Sequence, residues 1–246
     1  MMLAVEILNC VCFVGSHEIL PDGQPGVRFR GTGFFVEQDS RTIPGRVSGY
    51  LVTARHVAER IRPEEFHVRV NTTDGESAVV QGHQFRWWTH PTDPTADVAV
   101  LQWFPAPDRV QYKRVNTSIF ATGDTIADGT IGVGDEVFVS GLFGWHIGSA
   151  LNQPIVRTGT IAMIPDEPVA STRLGPMEVY LIEARSIGGL SGSPMFALAK
   201  TQHAMGMSSS WDSGRLSYSV SCMDIGICRR AASMMSLAVG ITGEHP

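Results

Sequence analysis

Hydrophobic positions in this chain form short runs. These runs are separated by clusters of Gly, Pro, Asp, Asn and Ser, as in PDGQPG, TTDG and HPTDPT. Short apolar runs bounded by turn residues predict β-strands. The predicted strands are VRFRGTGFFVE, SGYLVTA, FHVRVNTT, DVAVLQW, GDEVFVSGLF, PIVRTGTIAMI, MEVYLIEA, SPMFALA, HAMGMSSS and LSYSVS. Many short strands with this punctuation indicate an all-β protein, built as a sandwich or as barrels.

Helical patterns occur in two segments. RHVAERI places Val57 and Ile61 one turn apart, which gives a short helix a single apolar face. GICRRAASMMSLAV, near the C-terminus, predicts a longer closing helix that packs across the outside.

The N-terminal stretch MMLAVEILNCVCFVG is the one candidate for a targeting or membrane segment. Glu6 interrupts it, no Lys or Arg precedes its apolar part, and it is too short to cross a bilayer. Its Val, Ile and Phe residues favour a first β-strand. We therefore expect no membrane association and a cytoplasmic location.

A weakly patterned region over residues 105–128 separates two strand-rich parts of the chain. Its polar residues, Gly and Pro are typical of a connection. We expect an N-terminal half over residues 1–115, a C-terminal half over 116–226, and a closing helix and tail over 227–246.

The charge balance bears on the kind of partner. Nineteen Lys and Arg against 24 Asp and Glu give a formal net charge of −5, which repels phosphate. We therefore expect the main partner not to be a nucleic acid. The content of 43% hydrophobic and 17% charged residues is that of an ordinary globular protein.

The four cysteines have no spacing that a metal site requires. Cys10 and Cys12 lie two apart, while Cys222 and Cys228 lie near the other end of the chain. A four-cysteine zinc site needs tighter pairs than these. Buried free thiols are the favoured interpretation.

The segment SIGGLSGSPMF, Ser186 to Phe196, raises the question of a nucleophile. A serine hydroxyl becomes reactive only beside a base, which a third group usually orients. His56 is the candidate base, because it follows the apolar run GYLVTAR and opens a short helix at the rim of the fold. The N-terminus of that helix favours a neutral imidazole. Other histidines lie in polar surroundings and are expected on the surface: His17, His83, His90 and His245.

Several aspartates follow His56 in the chain and are candidates for the third group: Asp74, Asp93, Asp97, Asp108 and Asp124. Asp97 opens the apolar strand DVAVLQW, where Ala99 and Leu101 share its face. An acid on an apolar face is costly unless it is paired, and a histidine N–H can pair it. The alternative is a carboxylate that only caps the turn before the strand, as is expected of Asp93.

The segments TARHV, DVAVL and GGLSGSPMF, in this order, resemble the three catalytic segments of the chymotrypsin-like (trypsin-like) serine peptidases. GTGFFV followed by YLVTARHV is similar to the bacterial Deg-type and glutamyl-endopeptidase branches. The resemblance runs from Gly31 to about Ser210. Subtilisin-like enzymes and α/β-hydrolases have other chain orders, and Ser193 stands where the G-x-S-x-G elbow has its second glycine.

The resemblance implies two antiparallel six-stranded β-barrels with the active site between them. It implies that Ser191 attacks a peptide carbonyl, that His56 accepts its proton, and that Asp97 orients the imidazole. The backbone N–H groups of Gly189 and Ser191 would form the oxyanion hole, and a glycine suits position 189 because a side chain would hinder the required backbone conformation. The expected activity is that of a bacterial-type serine endopeptidase, which uses no cofactor and cuts a protein or peptide.

The sequence departs from the family at its N-terminus, where the IVGG start of the digestive enzymes is absent. We expect a site that forms without such cleavage and that an activating partner protein can control. A protease-like module without activity, which acts as a binding or effector protein, is the alternative.

Substrate specificity depends on fewer observations. Arg185 lies six residues before Ser191, and a buried arginine there would favour an acidic P1 residue unless Glu183 or Asp224 neutralises it. Ser208 lies where the glutamyl-endopeptidase branch has a histidine. Ser208 and Ser209 are nonetheless candidate substrate-binding residues, with Ser209 and Ser210 expected near the strand edge on which substrate pairs. Trp87 and Trp88 are expected either to pack at the barrel rim or to touch substrate.

Overall fold

The computed structural model describes residues 8–40, 42–62, 65–82, 86–103, 105–171, 175–185, 188–198, 216–220 and 227–228. Within these ranges most of the regular structure is antiparallel β-sheet. The helices that lie wholly within these ranges are α1 (Arg55–Glu59), α2 (Gly123–Ala127) and a 3-10 helix over Thr117–Ile119. The all-β prediction is confirmed.

The first sheet has eight strands: β1 (Val11–Ile19), β2 (Pro25–Asp39), β3 (Val47–Thr53), β4 (Phe66–Asn71), β5 (Ser77–Gln81), β6 (Trp88–Thr89), β7 (Ala99–Gln102) and β8 (Val115–Asn116). Seven of them follow the order β5-β4-β1-β2-β3-β7-β6, and each neighbouring pair is antiparallel. The eighth strand, β8, pairs with β2 in parallel. Closure of the ends of this path into a barrel stays a prediction.

The second sheet has six strands: β9 (Glu136–Gly141), β10 (Ile155–Met163), β13 (Val179–Ala184), β14 (Pro194–Leu198), β15 (Leu216–Val220) and β16 (Ile227–Cys228). Their order is β15-β14-β9-β10-β13-β16, and a separate hairpin joins β11 (Val169–Ser171) to β12 (Gly175–Met177). Strand β14 is interior, because it pairs with both β9 and β15. It begins directly after the segment of Ser191, so this segment ends on a rigid strand.

Two clusters of buried side chains correspond to the two sheets. The larger is built mainly from residues of the first sheet, and the smaller lies on the second. Phe138 of β9 and Phe196 of β14 belong to the larger cluster although they come from the second sheet. Side chains from both halves therefore pack together in the larger cluster, so the cores of the two halves are not fully separate.

The strand predictions agree well with the structure. Of the ten segments, HAMGMSSS lies outside the described residues, and the other nine each contain a strand. The predicted N-terminal strand begins only at Val11, because residues 8–9 are helical. The strands that were not predicted are two to five residues long: β5, β6, β8, β11, β12 and β16. Runs this short carry too little alternation to be recognised.

The structure differs from two predictions, one for the closing helix and one for the connection between the two halves. Ile227 and Cys228 form β16, which pairs with Tyr180 and Val179, so the closing helix does not begin there. The rest of that predicted helix lies outside the described residues. In the predicted connection, Val115 and Phe120 are buried in the larger cluster, so that part packs on the first sheet. Among the described helices, none is long and apolar enough to cross a membrane.

Candidate active site

The topology of the first sheet brings His56 to Asp97. Strands β3 and β7 are antiparallel neighbours, with Thr53 at the end of β3 opposite Ala99 at the start of β7. The residues just after β3 therefore lie beside those just before β7. This is why two side chains that are 41 positions apart in the chain meet.

Both carboxylate oxygens of Asp97 bind His56. The backbone N–H of His56 donates to Oδ1 at 2.8 Å, and the ring Nδ1 lies 2.6 Å from Oδ2. An ionised carboxylate only accepts, so Nδ1 carries the proton and Nε2 keeps a free lone pair. The two side chains are only 14% and 11% exposed, which limits screening of the contact by water. Asp97 thus fixes the start of α1 and the tautomer of the ring together.

The turn before Asp97 is stabilised by a different carboxylate. Asp93 Oδ1 accepts the backbone N–H of Thr95 at 2.9 Å and its hydroxyl at 2.5 Å. The capping role that was the alternative for Asp97 therefore belongs to Asp93, as predicted for that residue. Asp97 remains available to His56.

The segment of Ser191 is bound to the first sheet through Thr32, which is fully buried in β2. The backbone N–H of Thr32 donates to the carbonyl of Ser191 at 2.9 Å. Its hydroxyl donates to the carbonyl of Gly189 at 2.9 Å and accepts the N–H of Leu142 at 2.8 Å. Thr32 was missed by the sequence reasoning, because a threonine in the strand GTGFFV looks like any other strand residue.

Two glycines shape this segment. Gly189 has φ +105°, and a Cβ there would lie 2.9 Å from the carbonyl oxygen of Leu142. The expectation that a side chain would hinder position 189 is confirmed. Gly192 has φ +85°, and its Cβ would lie 2.3 Å from the carbonyl oxygen of Thr32. The backbone on both sides of Ser191 therefore needs glycine.

We predict that Gly192→Ala lowers the free energy of unfolding by about 2–3 kcal/mol, because the new methyl group meets backbone atoms and φ is unfavourable. Urea denaturation at constant pH measures the loss. Gly188→Ala is the matched control in the same segment, since a Cβ there meets nothing within 4 Å. Equal stability of the two variants would contradict this account.

One pocket contains both His56 and Ser191. Its volume is about 470 Å³, within the usual size of ligand sites. The described residues that line it are Ser16, Arg30, His56, Val57, Arg60, Ile61 and Ser191. Among the described residues, the structure contains no hydrogen bond between the Ser191 hydroxyl and the His56 ring.

Arg185, which was predicted for specificity, is not among the described residues that line this pocket. Arg185 is exposed, so the premise of a buried arginine is wrong, and Glu183 is exposed too. Ser208, Ser209 and Asp224 lie outside the described residues.

Trp87 and Trp88 pack against the larger cluster of buried side chains. Of the two roles expected of them, packing and contact with substrate, the structure shows the packing. Trp87 and Trp88 are half-buried against the larger cluster. The ring of Trp87 packs edge-to-face against the ring of Phe66, with the ring centroids 4.9 Å apart.

Two other expectations have clear outcomes. The expected surface position of His90 is wrong, because the residue is buried and its Nδ1 accepts the backbone N–H of Asp93 at 2.9 Å. Cys10 and Cys12 are buried free thiols, as predicted. Burial raises the pKa of Cys10 to about 12 and also raises the pKa of Cys12, so neither is a thiolate at neutral pH.

No protein-family model matches the sequence, and no curated protein matches it significantly. Solved structures do match. The MamO protease domain from Magnetospirillum magneticum, in its apo form, is 18% identical with a TM-score of 0.49, over 78% of this chain and 80% of that one. Deg5 is 18% identical with a TM-score of 0.49, over 77% and 75%. Rv3671c from M. tuberculosis H37Rv, a serine-to-alanine mutant in an inactive form, is 19% identical with a TM-score of 0.46, over 78% and 73%.

These structural neighbours are of the trypsin-like Deg type, the class that the sequence motifs resemble. At such low identity the likeness concerns the fold alone. The chemistry of this chain has to be argued from its own side chains.

Proposed function

We propose that this protein is a serine endopeptidase whose catalytic residues are His56, Asp97 and Ser191. The observation that carries the proposal is the paired contact of Asp97 with the backbone and ring of His56. Packing alone has no need of a buried carboxylate in this place, since an unpaired one is costly. The contact leaves Nε2 of His56 as a base in a pocket that Ser191 also lines.

In the proposed reaction, Ser191 Oγ attacks the carbonyl carbon of a peptide bond while Nε2 of His56 takes the hydroxyl proton. The N–H groups of Gly189 and Ser191 bind the resulting oxyanion. His56 then gives the proton to the leaving amine, and the acyl group stays on Ser191. Water, deprotonated by His56, releases the acid and restores the hydroxyl. No step uses a cofactor.

A fluorophosphonate probe tests the proposal, because Ser191 Oγ would displace fluoride and keep the probe. We expect the wild-type protein to be labelled and Ser191→Ala to be unlabelled. Ser193→Ala is the matched control, since Ser193 is fully buried and is expected to be inert. Labelling that survives in Ser191→Ala would refute the proposal.

A protease that needs a partner protein is the second candidate. The lack of a hydrogen bond between Ser191 and His56 favours it, although catalytic hydrogen bonds in free enzymes are often long. In this case the purified protein would stay unlabelled, and addition of a lysate that contains the partner would restore labelling of Ser191. Labelling of the purified protein at full stoichiometry would exclude this candidate.

A further inference from the structure

The pocket beside His56, which we call the arginine pocket, has six of its seven described lining residues in the first half of the chain. Ser16 comes from β1, Arg30 from β2, and Val57, Arg60 and Ile61 from α1 and the residues after it. Among the residues that the structure describes, Ser191 is the one lining residue from the second half. The pocket therefore extends from the catalytic serine toward the imidazole side.

This position corresponds to the leaving-group side of a substrate. In the proposed reaction the acyl part stays on Ser191, while the amine that departs takes its proton from His56. The residues after the scissile bond must therefore pass along the His56 side. The arginine pocket is on their path, which makes it a subsite for the residues that follow the cut.

The charge of the arginine pocket is positive. Arg30 and Arg60 line it, and no Asp or Glu is among its described lining residues. The Glu18 carboxylate accepts a hydrogen bond from Arg30 and another from Arg28 Nη1 at 3.3 Å. Its single negative charge is therefore shared between two arginines. Arg60 makes no ion pair within the described residues.

The neighbouring acids are engaged elsewhere. Glu59 binds Arg55 Nε at 2.6 Å, and both oxygens of Asp97 are taken by His56. Besides the two arginines, His56 and Ser191, the described lining residues are Ser16 and the apolar Val57 and Ile61, which are each 5% exposed. This combination suits a carboxylate on a short apolar stem, because the methylene groups contact the apolar wall and the oxygens reach guanidinium donors.

We propose that the arginine pocket selects substrates with Asp or Glu in the first two residues after the scissile bond. The inference rests on the proposed function of the site. Both arginines are largely exposed to water, which screens their charge, so the preference is modest. An acidic residue there should raise kcat/KM about five- to tenfold over its amide analogue.

The test uses two peptides that differ only by Asp or Asn at the first residue after the cut, and a second pair that differs at the next residue. We expect the wild-type protein to prefer Asp about five- to tenfold in kcat/KM in at least one pair, and Arg60→Gln to reduce this ratio to about twofold or less. Arg62→Gln is the matched control, because it removes an equal charge two positions away and does not line the pocket. It should keep the wild-type ratio.

Salt is a further readout, since an electrostatic preference must fall as ionic strength rises. If the peptides are cut too slowly, the same ratios are measured from their competition with fluorophosphonate labelling. Labelling itself needs no residue after the cut, so normal labelling with equal rates for Asp and Asn would overturn this inference alone. Labelling that stays absent even after addition of a lysate that contains the partner would overturn it together with the proposed function.

Discussion

Replacing Asp97 by Asn is expected to lower kcat by about 10⁴-fold, the loss that this exchange causes in Ser-His-Asp triads. The amide oxygen can still accept the backbone N–H of His56, so α1 keeps its start. The amide nitrogen, however, can only donate to the ring, which forces the proton from Nδ1 to Nε2. The base that should take the Ser191 proton is then blocked, and KM should hardly change.

Steady-state kinetics on a chromogenic peptide measures this loss, with circular dichroism to show that the fold persists. Asp93→Asn is the matched control in the same loop. Its side-chain oxygen can still accept the N–H and the hydroxyl of Thr95, so it should retain activity within about twofold. An Asp97→Asn variant that keeps a tenth of the activity would show that Asp97 does not set the tautomer.

His56 and Asp97 could be found from the sequence because each adjoins the end of an apolar strand. Strand ends are recognisable, and an acid beside an apolar run needs a partner. What the sequence could not supply is the contact between halves. Thr32 links β2 to the Ser191 segment through two backbone carbonyls, and such a contact depends on how two sheets pack.

The burial of Arg69 could not be predicted from the sequence, for a related reason. In the strand FHVRVNTT, His67 and Arg69 alternate with apolar residues, a pattern typical of a strand with one face in solvent. Both are buried instead, and the residues that cover Arg69 belong to the connection between β9 and β10, which binds its guanidinium. A pattern along one strand carries no information about a distant loop that covers it.

Arg69 is a buried cation whose charge is met by oxygen dipoles. Its Nη1 donates to the carbonyl of Ile147 and to Asn152 Oδ1, both at 3.0 Å. Its Nη2 donates to the carbonyls of Gly148 at 2.9 Å and Ser149 at 3.0 Å. The planar guanidinium thus holds a loop of the second half against a strand of the first. The same connection begins at Leu142, beside Gly189.

Arg69→Met is therefore expected to lower the free energy of unfolding by about 3 kcal/mol, since it leaves two buried acceptors, Asn152 Oδ1 and the carbonyl oxygen of Gly148, without a donor at about 1 kcal/mol or more each, and also removes two part-buried hydrogen bonds. Arg69→Lys keeps the charge but lacks the fork, so it should lose about half as much. Urea denaturation measures both, with Arg46→Met as the control, because Arg46 is exposed and its exchange should change stability by less than about 0.5 kcal/mol. A loss below about 1 kcal/mol for Arg69→Met would mean that water replaces the guanidinium, and that the two halves are held together by Thr32 and the shared apolar packing.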